Sequence, residues 1–397
     1  MFGLKTKRNT QRIFLDYAST TPLDPEILDE MMPYFRDQFF NSSSLYSEGV
    51  KIKKVIDEMR VLVARCLLVK KDEIYFTGSG TESNNIALLG AFEYAKSIGI
   101  KNPHFVASSI EHPAVLEVLK EIERRGGEVT YLPVSEDGII SEKDLEKSLK
   151  KETIAVSIIY ANNEIGVVQP IRSFSRIVKK FKEENKIKTL YFHVDASQAP
   201  NYLDCHPNTL GVDMMTLDGH KIYGPKGIGC LYKNSSVKIF PIMFGGGQES
   251  GLRPGTLNIP AVVGFAKALE KTSKMREKES KRLSMLQKYF INGVRSLIKD
   301  VVINGSENFR LPNNINICIP GIDAEFEVIK LDAKGVACAY TTSCKTSDDN
   351  SKSYVVEALG KTGCASSSLR FTLGRFTTKK EITDTLSIIK ELYYNRK

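Results

Sequence analysis

Val212-Asp213-Met214-Met215-Thr216-Leu217 runs into Asp218-Gly219-His220-Lys221-Ile222-Tyr223-Gly224-Pro225-Lys226-Gly227, an apolar stretch that delivers a lysine to a turn. The apolar stretch reads as a buried strand, and the glycines and proline that follow end it. Lys221 is boxed in by a histidine, glycines and a proline, and it has two readings. It caps a strand at the surface, as most lysines do, or it is an amine held near a carbonyl in surroundings that lower its pKa. The window alone leaves both open.

Outward from this window, apolar β-type runs alternate with amphipathic segments from about Glu73 to Lys233. The runs are Ile74–Phe76, Phe105–Ala107, Val129–Leu132, Ile154–Tyr160, Leu190–Val194 and Cys230–Tyr232, with helical stretches such as Ala114–Arg125 and Ser173–Glu184 between them. That rhythm predicts an α/β fold: a mostly parallel sheet covered by helices, with ligands bound beyond the strand ends. From Pro260 to about Ile298 the pattern is helical and rich in lysine and glutamate. A strand at Asn314–Ile319, a polar loop and a final helix from near Lys379 follow. Two domains are expected for a chain of 397 residues. With no internal repeat and no low-complexity linker, they are expected to pack closely.

Composition sets the class. The chain is 42% hydrophobic and 26% charged, enough apolar material for a sizeable core and against disorder. No apolar run is long enough to cross a bilayer, and the basic N-terminus lacks the apolar core of a secretory signal. A cytoplasmic protein without a membrane partner is expected. The net charge of +9 is a modest excess of 56 basic over 47 acidic residues. No arginine-rich block accompanies it, so direct nucleic-acid binding is not expected. The seven cysteines are scattered and form no CxxC pair, which indicates neither a disulfide framework nor a zinc knuckle. Most are expected to be buried and inert.

Five further groups fall at element ends. Gly78-Ser79-Gly80-Thr81-Glu82-Ser83-Asn84-Asn85 follows a strand and opens a helix, where backbone N–H groups and a threonine hydroxyl can cradle a phosphate. Many strand-to-helix turns are equally glycine-rich. His112, in Ile110-Glu111-His112-Pro113, either supports the fold or stacks on a ring and moves protons. Asn162 and Asn163 place two amides at a strand end. Asp195, in His193-Val194-Asp195-Ala196-Ser197-Gln198, closes an apolar strand and needs a cationic partner. Gly245-Gly246-Gly247-Gln248-Glu249-Ser250-Gly251-Leu252-Arg253-Pro254-Gly255-Thr256 is glycine-rich enough for close backbone approach to a ligand or a neighbouring subunit.

A lysine, a strand-end aspartate, a ring-stacking histidine and a phosphate cradle are the groups that hold pyridoxal phosphate. With the motifs Leu15-Asp16-Tyr17-Ala18-Ser19-Thr20-Thr21-Pro22 near the start and Ser368-Leu369-Arg370-Phe371-Thr372-Leu373-Gly374-Arg375-Phe376-Thr377-Thr378 near the end, the chain resembles cysteine desulfurases of the NifS/IscS type. These belong to the class V aminotransferase family of fold-type I enzymes. The resemblance is nearly full-length and its motifs fall in family order. It implies a fold-type I large domain, residues 13–259, built on a mostly parallel seven-stranded sheet, whose first few residues can pack on the other domain. It also implies a smaller α+β domain, residues 260–397, carrying the catalytic cysteine loop.

The same resemblance implies roles. Lys221 forms the Schiff base and later moves the substrate α-proton. Asp195 pairs with the pyridinium, Gln198 and Asn163 bond around the phenolic oxygen, and His112 stacks on the ring and handles protons. Gly80, Thr81 and His220 bind the phosphate, with Thr256 reaching it from the partner subunit of a homodimer. Arg370, together with Asn163, takes the substrate carboxylate; a planar guanidinium suits that task. Cys344, in Ala337-Cys338-Ala339-Tyr340-Thr341-Thr342-Ser343-Cys344-Lys345, falls where the family keeps its sulfur-accepting nucleophile, whereas Cys338 reads as part of the preceding strand. Lys345 favours the thiolate, and the polar Thr341–Ser353 loop is expected to be mobile.

The implied reaction takes L-cysteine to L-alanine with a persulfide on Cys344. The sulfur is then passed to an iron–sulfur scaffold or a tRNA-thiolation enzyme. No resident metal is implied, although Cys344 could transiently ligate an iron–sulfur cluster with a partner. The chain departs from the family pattern at Asp218, beside the phosphate, where relatives commonly have serine or asparagine. It departs also at Thr341 (glycine), Pro254 (serine), and Ser42 and Tyr46 (proline and histidine in some relatives). A carboxylate at 218 repels a phosphate dianion unless it turns away or meets a cation, so no binding role is assigned to it.

Overall fold

The structure is a computed structural model that describes residues 12–340 and 352–393. Its strands are β1 (Ile13–Phe14), β2 (Ile74–Thr77), β3 (His104–Ser108), β4 (Glu128–Leu132), β5 (Thr153–Ile159), β6 (Tyr191–Asp195), β7 (Met214–Asp218), β8 (Gly229–Lys233), β9 (Val302–Ile303), β10 (Asn314–Cys318), β11 (Val336–Ala337) and β12 (Ser368–Thr372). Seven of them form one sheet in the order β2-β8-β7-β6-β5-β3-β4. β8 runs antiparallel to both neighbours, and the other pairings are parallel. The sheet is the mostly parallel seven-stranded one that the sequence rhythm and the resemblance led us to expect.

Helices cover both faces, so β3, β5, β6 and β7 are buried throughout and read as continuous apolar runs rather than alternating ones. Strand alternation still divides the core. Val106, Val156 and Ile158 pack with the helices Ser47–Leu67 and Ile171–Glu184, whereas Phe105, Ala107 and Ala155 pack with Gly80–Ser97 and Pro113–Arg124.

A second, antiparallel sheet has the order β12-β10-β9. Its core takes Leu283, Phe290 and Val294 from the long helix Ile259–Leu297, and Ile382, Leu386 and Ile389 from the final helix Lys379–Tyr393. The first half of the same long helix buries Val262 and Phe265 against the large sheet. One rigid element of 39 residues therefore serves both cores. The start of the chain packs with the second core: β1 pairs with β11, and Leu15 is buried there. Among the described residues no helix is long and apolar enough to cross a membrane.

One cysteine expectation is corrected. Cys318, at the end of β10, is disulfide-bonded to Cys364, 46 residues later. Spacing concealed the pair because only the antiparallel return of β12 beside β10 brings the two Cα atoms to 5.4 Å. Cys205, Cys230 and Cys338 are buried, and burial pushes each thiol up to about 12. These three are inert as nucleophiles.

β2 forms one edge of the large sheet, and its open side is covered by charge. The Glu249 carboxylate accepts from the Phe76 N–H (2.7 Å) and from both Arg60 terminal nitrogens (2.5 and 2.8 Å), while Arg60 also donates to the Ile74 carbonyl. Glu249 and Ser250 adopt left-handed backbone angles (φ 49° and 56°), a cost that this buried pair offsets. On the other side of β2, Gly229 of β8 lies where a Cβ would meet the Ser79 carbonyl carbon at 2.4 Å. Rotamer change cannot relieve a clash with backbone. Gly229→Ala should therefore lower stability by about 1–3 kcal/mol, read as a lower urea midpoint with an unchanged denaturant slope.

Candidate active site

The C-terminal ends of β3, β5, β6 and β7 open on one cleft, lined among others by Thr81, His112, Asn163, Asp195, Gln198 and Lys221. Parallel strands with short exits converge their terminal residues in this way. Asp195 is the last residue of β6. Its carboxylate accepts from the Asn84 amide (2.8 Å) and from the N–H and hydroxyl of Ser197 (2.9 and 2.7 Å). Behind it His193 bonds Ser157 and Thr216, and full burial lowers its pKa to about 4, so it is neutral. These donors are all neutral, and the Oδ1 of Asn84 is buried with no partner among the described residues. The wall at Asp195 and Asn84 thus presents acceptors to whatever occupies the cleft.

His112 caps the helix Pro113–Arg124, with Nδ1 accepting the Ala114 N–H at 3.1 Å. An accepting Nδ1 leaves the proton on Nε2. Burial lowers its pKa, against the opposing pull of Asp195, and keeps the ring neutral. Its neighbour Glu111 is fully buried. One oxygen accepts from Ser108 and from the Ile159 N–H, and the other has no partner among the described residues. Burial raises this carboxyl to about 8, making it an uncharged acid at neutral pH. The sequence carried no signal for Glu111 beyond its place beside the histidine.

Lys221 follows β7 in a single 3-10 turn, Gly219–Lys221. Its ammonium donates to the Ala18 and Ser19 carbonyls, both at 2.7 Å, and Gln198 donates to the same Ala18 oxygen at 2.8 Å. The two adjacent asparagines separate in role. Asn162 is used up inside the loop, accepting from the N–H groups of Glu164 and Ile165 and donating to Ile110, whereas Asn163 lines the cleft.

At the other end of the cleft, helix Gly80–Ser97 begins under the Ser79 cap. A Cβ on Gly80 would stand 3.0 Å from Asp218 and 3.1 Å from the Ser197 hydroxyl, so only glycine leaves this seat open. Asp218 does not turn away. Its carboxylate accepts from the Gly80 N–H (2.8 Å) and the His220 N–H (3.1 Å). His220, its ring bonded to Thr20, is kept neutral chiefly by burial.

Two candidate residues stand outside the cleft. Arg370 is fully buried behind its wall, donating to the Asn163 carbonyl, Asp16 (2.7 Å) and Ser19 (2.8 Å). A bidentate grip on a substrate carboxylate requires it to release one of these. Thr256 is exposed in its own chain, beyond Arg253, which pairs with Glu82 at 2.6 Å and so fixes the glycine-rich loop to the start of the same helix. Cys344, Thr341 and Lys345 lie outside the described residues.

The class V aminotransferase family model matches residues 13–384, and this chain belongs to that family. It is 39% identical over 383 residues to the cysteine desulfurase IscS of Dictyoglomus turgidum, covering 96% of this chain and 94% of that protein. The cysteine desulfurase IscS of Clostridium botulinum is 37% identical over 390 residues, 98% of this chain and 96% of that one. Among solved structures, a NifS-like protein superposes with a TM-score of 0.88 at 32% identity, covering 96% and 99% of the two chains. SspA in complex with cysteine does so with 0.77 at 30%, covering 93% and 100%. The family is pyridoxal-phosphate-dependent.

The raised pKa of Glu111 has a stability consequence. Below the usual carboxylate value of 4.5 folded and unfolded states are both protonated; above it only the unfolded state ionises until about pH 8. Stability that is present at low pH is therefore lost across this window. Glu111→Gln keeps an acceptor for Ser108 and Ile159 without the titration. Its unfolding midpoint relative to the parent should rise steadily between pH 5 and pH 8; a constant difference would contradict the assignment.

Proposed function

We propose that this protein is a pyridoxal-phosphate-dependent cysteine desulfurase that transfers sulfur from L-cysteine to its own Cys344 and releases L-alanine. One observation carries the reading: a lysine, a buried carboxylate and a neutral imidazole line a single cleft at neighbouring strand ends. The residues fit the cofactor. The acceptor wall of Asp195 and the orphan Asn84 oxygen suits a protonated ring nitrogen. Thr81, Ser197 and His220 offer side-chain donors to a phosphate beside Gly80, whose own N–H is taken by Asp218. Bound there, the cofactor supplies an electron sink for the substrate Cα.

The protein's own groups do the rest. Lys221 would hold the cofactor aldehyde, and its Nζ would take the substrate Cα proton. His112 holds a proton at Nε2, because Nδ1 is committed to the helix cap. Arg370, reached through Ser19 and Asn163, receives the substrate carboxylate. The Cys344 thiolate attacks the substrate sulfur. The carbon–sulfur bond breaks, its electron pair stays with the substrate carbon, that carbon takes a proton, and the sulfur remains as a Cys344 persulfide. Cys338 is excluded from this role by its burial and its raised pKa. Tyr340 follows Ala339, whose backbone pairs with Arg370.

The persulfide is passed to an acceptor protein, either an iron–sulfur scaffold or a tRNA-thiolation enzyme. The cytoplasm is the expected setting. The active form we propose is a homodimer, with the exposed Thr256 of one subunit reaching the cofactor phosphate of the other. The exposed Phe39, Leu45, Tyr46 and Phe244 are apolar surface suited to such a contact.

The test is a visible spectrum with alanine and sulfide assays from L-cysteine. Lys221→Ala should lose the cofactor band. Cys344→Ser should keep the band and lose roughly 10²-fold or more of sulfide release. Mass spectrometry should find the extra sulfur on the Cys344 peptide of the parent protein only. Sulfide release that survives Cys344→Ser would instead indicate a lyase on the same scaffold.

A further inference from the structure

The Asp218 carboxylate occupies donors that a phosphate at this helix start would use. It accepts from the Gly80 N–H at 2.8 Å and from the His220 N–H at 3.1 Å, is buried, and lines the cleft. The charge around it is unfavourable to a second anion. Among the described residues that line the cleft, the acids are Asp195 and Asp218, none is an arginine, and the one lysine is Lys221, turned to the Ala18 and Ser19 carbonyls. His220 lies 3.4 Å from Asp218 through Nε2, but it is neutral.

Resting on the cofactor reading above, we propose that Asp218 is an affinity-determining residue of the phosphate seat. It holds as an intramolecular anion the amide donors that would otherwise serve the cofactor phosphate, and so makes the phosphorylated cofactor weakly held and exchangeable. For the phosphate to seat, the carboxylate must give up the Gly80 N–H, and two like charges then share one buried corner. Asp218 makes its hydrogen bonds at the Gly80 end of the cleft, so the penalty falls chiefly on the phosphate.

The experiment compares pyridoxal phosphate with pyridoxal, which lacks the phosphate. Cofactor-stripped parent protein, Asp218→Asn, Asp218→Ser and Lys221→Ala are titrated with each compound, and dissociation constants are read from the visible band. Asn keeps the shape and the cap on the turn, so at least one variant retains the fold. Both Asp218 variants should bind pyridoxal phosphate at least about tenfold more tightly than the parent, with pyridoxal unchanged within about twofold. Equal changes for both compounds, or weaker phosphate binding in the variants, would overturn the inference while leaving the cofactor reading standing. If neither compound gives a band that depends on Lys221, the cofactor reading fails and this inference falls with it.

Discussion

The Lys221 ammonium between the Ala18 and Ser19 carbonyls is the interaction on which the arrangement depends. Those carbonyls belong to a strap that touches both sheets. The Leu15 carbonyl accepts from the Thr372 N–H, Ala18 donates to the Thr372 hydroxyl, and Asp16 pairs with Arg370, all on the β12 side. Thr21 bonds the His220 carbonyl and the Tyr223 N–H on the β7 side. A chain segment with no regular ladder of its own must send its polar groups somewhere. Here it sends them to the lysine and to both bodies, so positioning the amine and joining the sheets are one act.

Burial then decides protonation around that amine. His112 and His193 are held neutral, and Glu111 is raised until it too is uncharged at neutral pH. The acids left lining the cleft are Asp195 and Asp218, and the donors to Asp195 are an amide, a hydroxyl and an N–H.

Much of this was legible in the chain. The runs ending at Asp195 and Asp218 declared both the strands and the cleft, because a parallel strand buried on two faces has no other way to be written than as an apolar run. The fold-type I expectation came from motifs in order. Contacts between residues far apart in sequence escaped. Glu249 with Arg60, Arg370 with Asp16, and the Cys318–Cys364 bond join positions whose nearness depends on the finished fold. The two-residue strands β1, β9 and β11 are too short to show a period. Nothing local distinguishes Asn162 from Asn163 either; the turn that consumes one and frees the other is a tertiary matter. The resemblance marked Asp218 as a departure from the family pattern, but which way it turns needed coordinates.

The charged cover on β2 reaches beyond the cleft. An edge strand offers its bare amides and carbonyls to any passing extended chain. Glu249 takes the Phe76 N–H and Arg60 takes the Ile74 carbonyl, so this margin has little left to offer. The glycine-rich loop that borders the active site is thereby also a hem: it stops the sheet at seven strands and denies neighbouring molecules a place to begin an eighth.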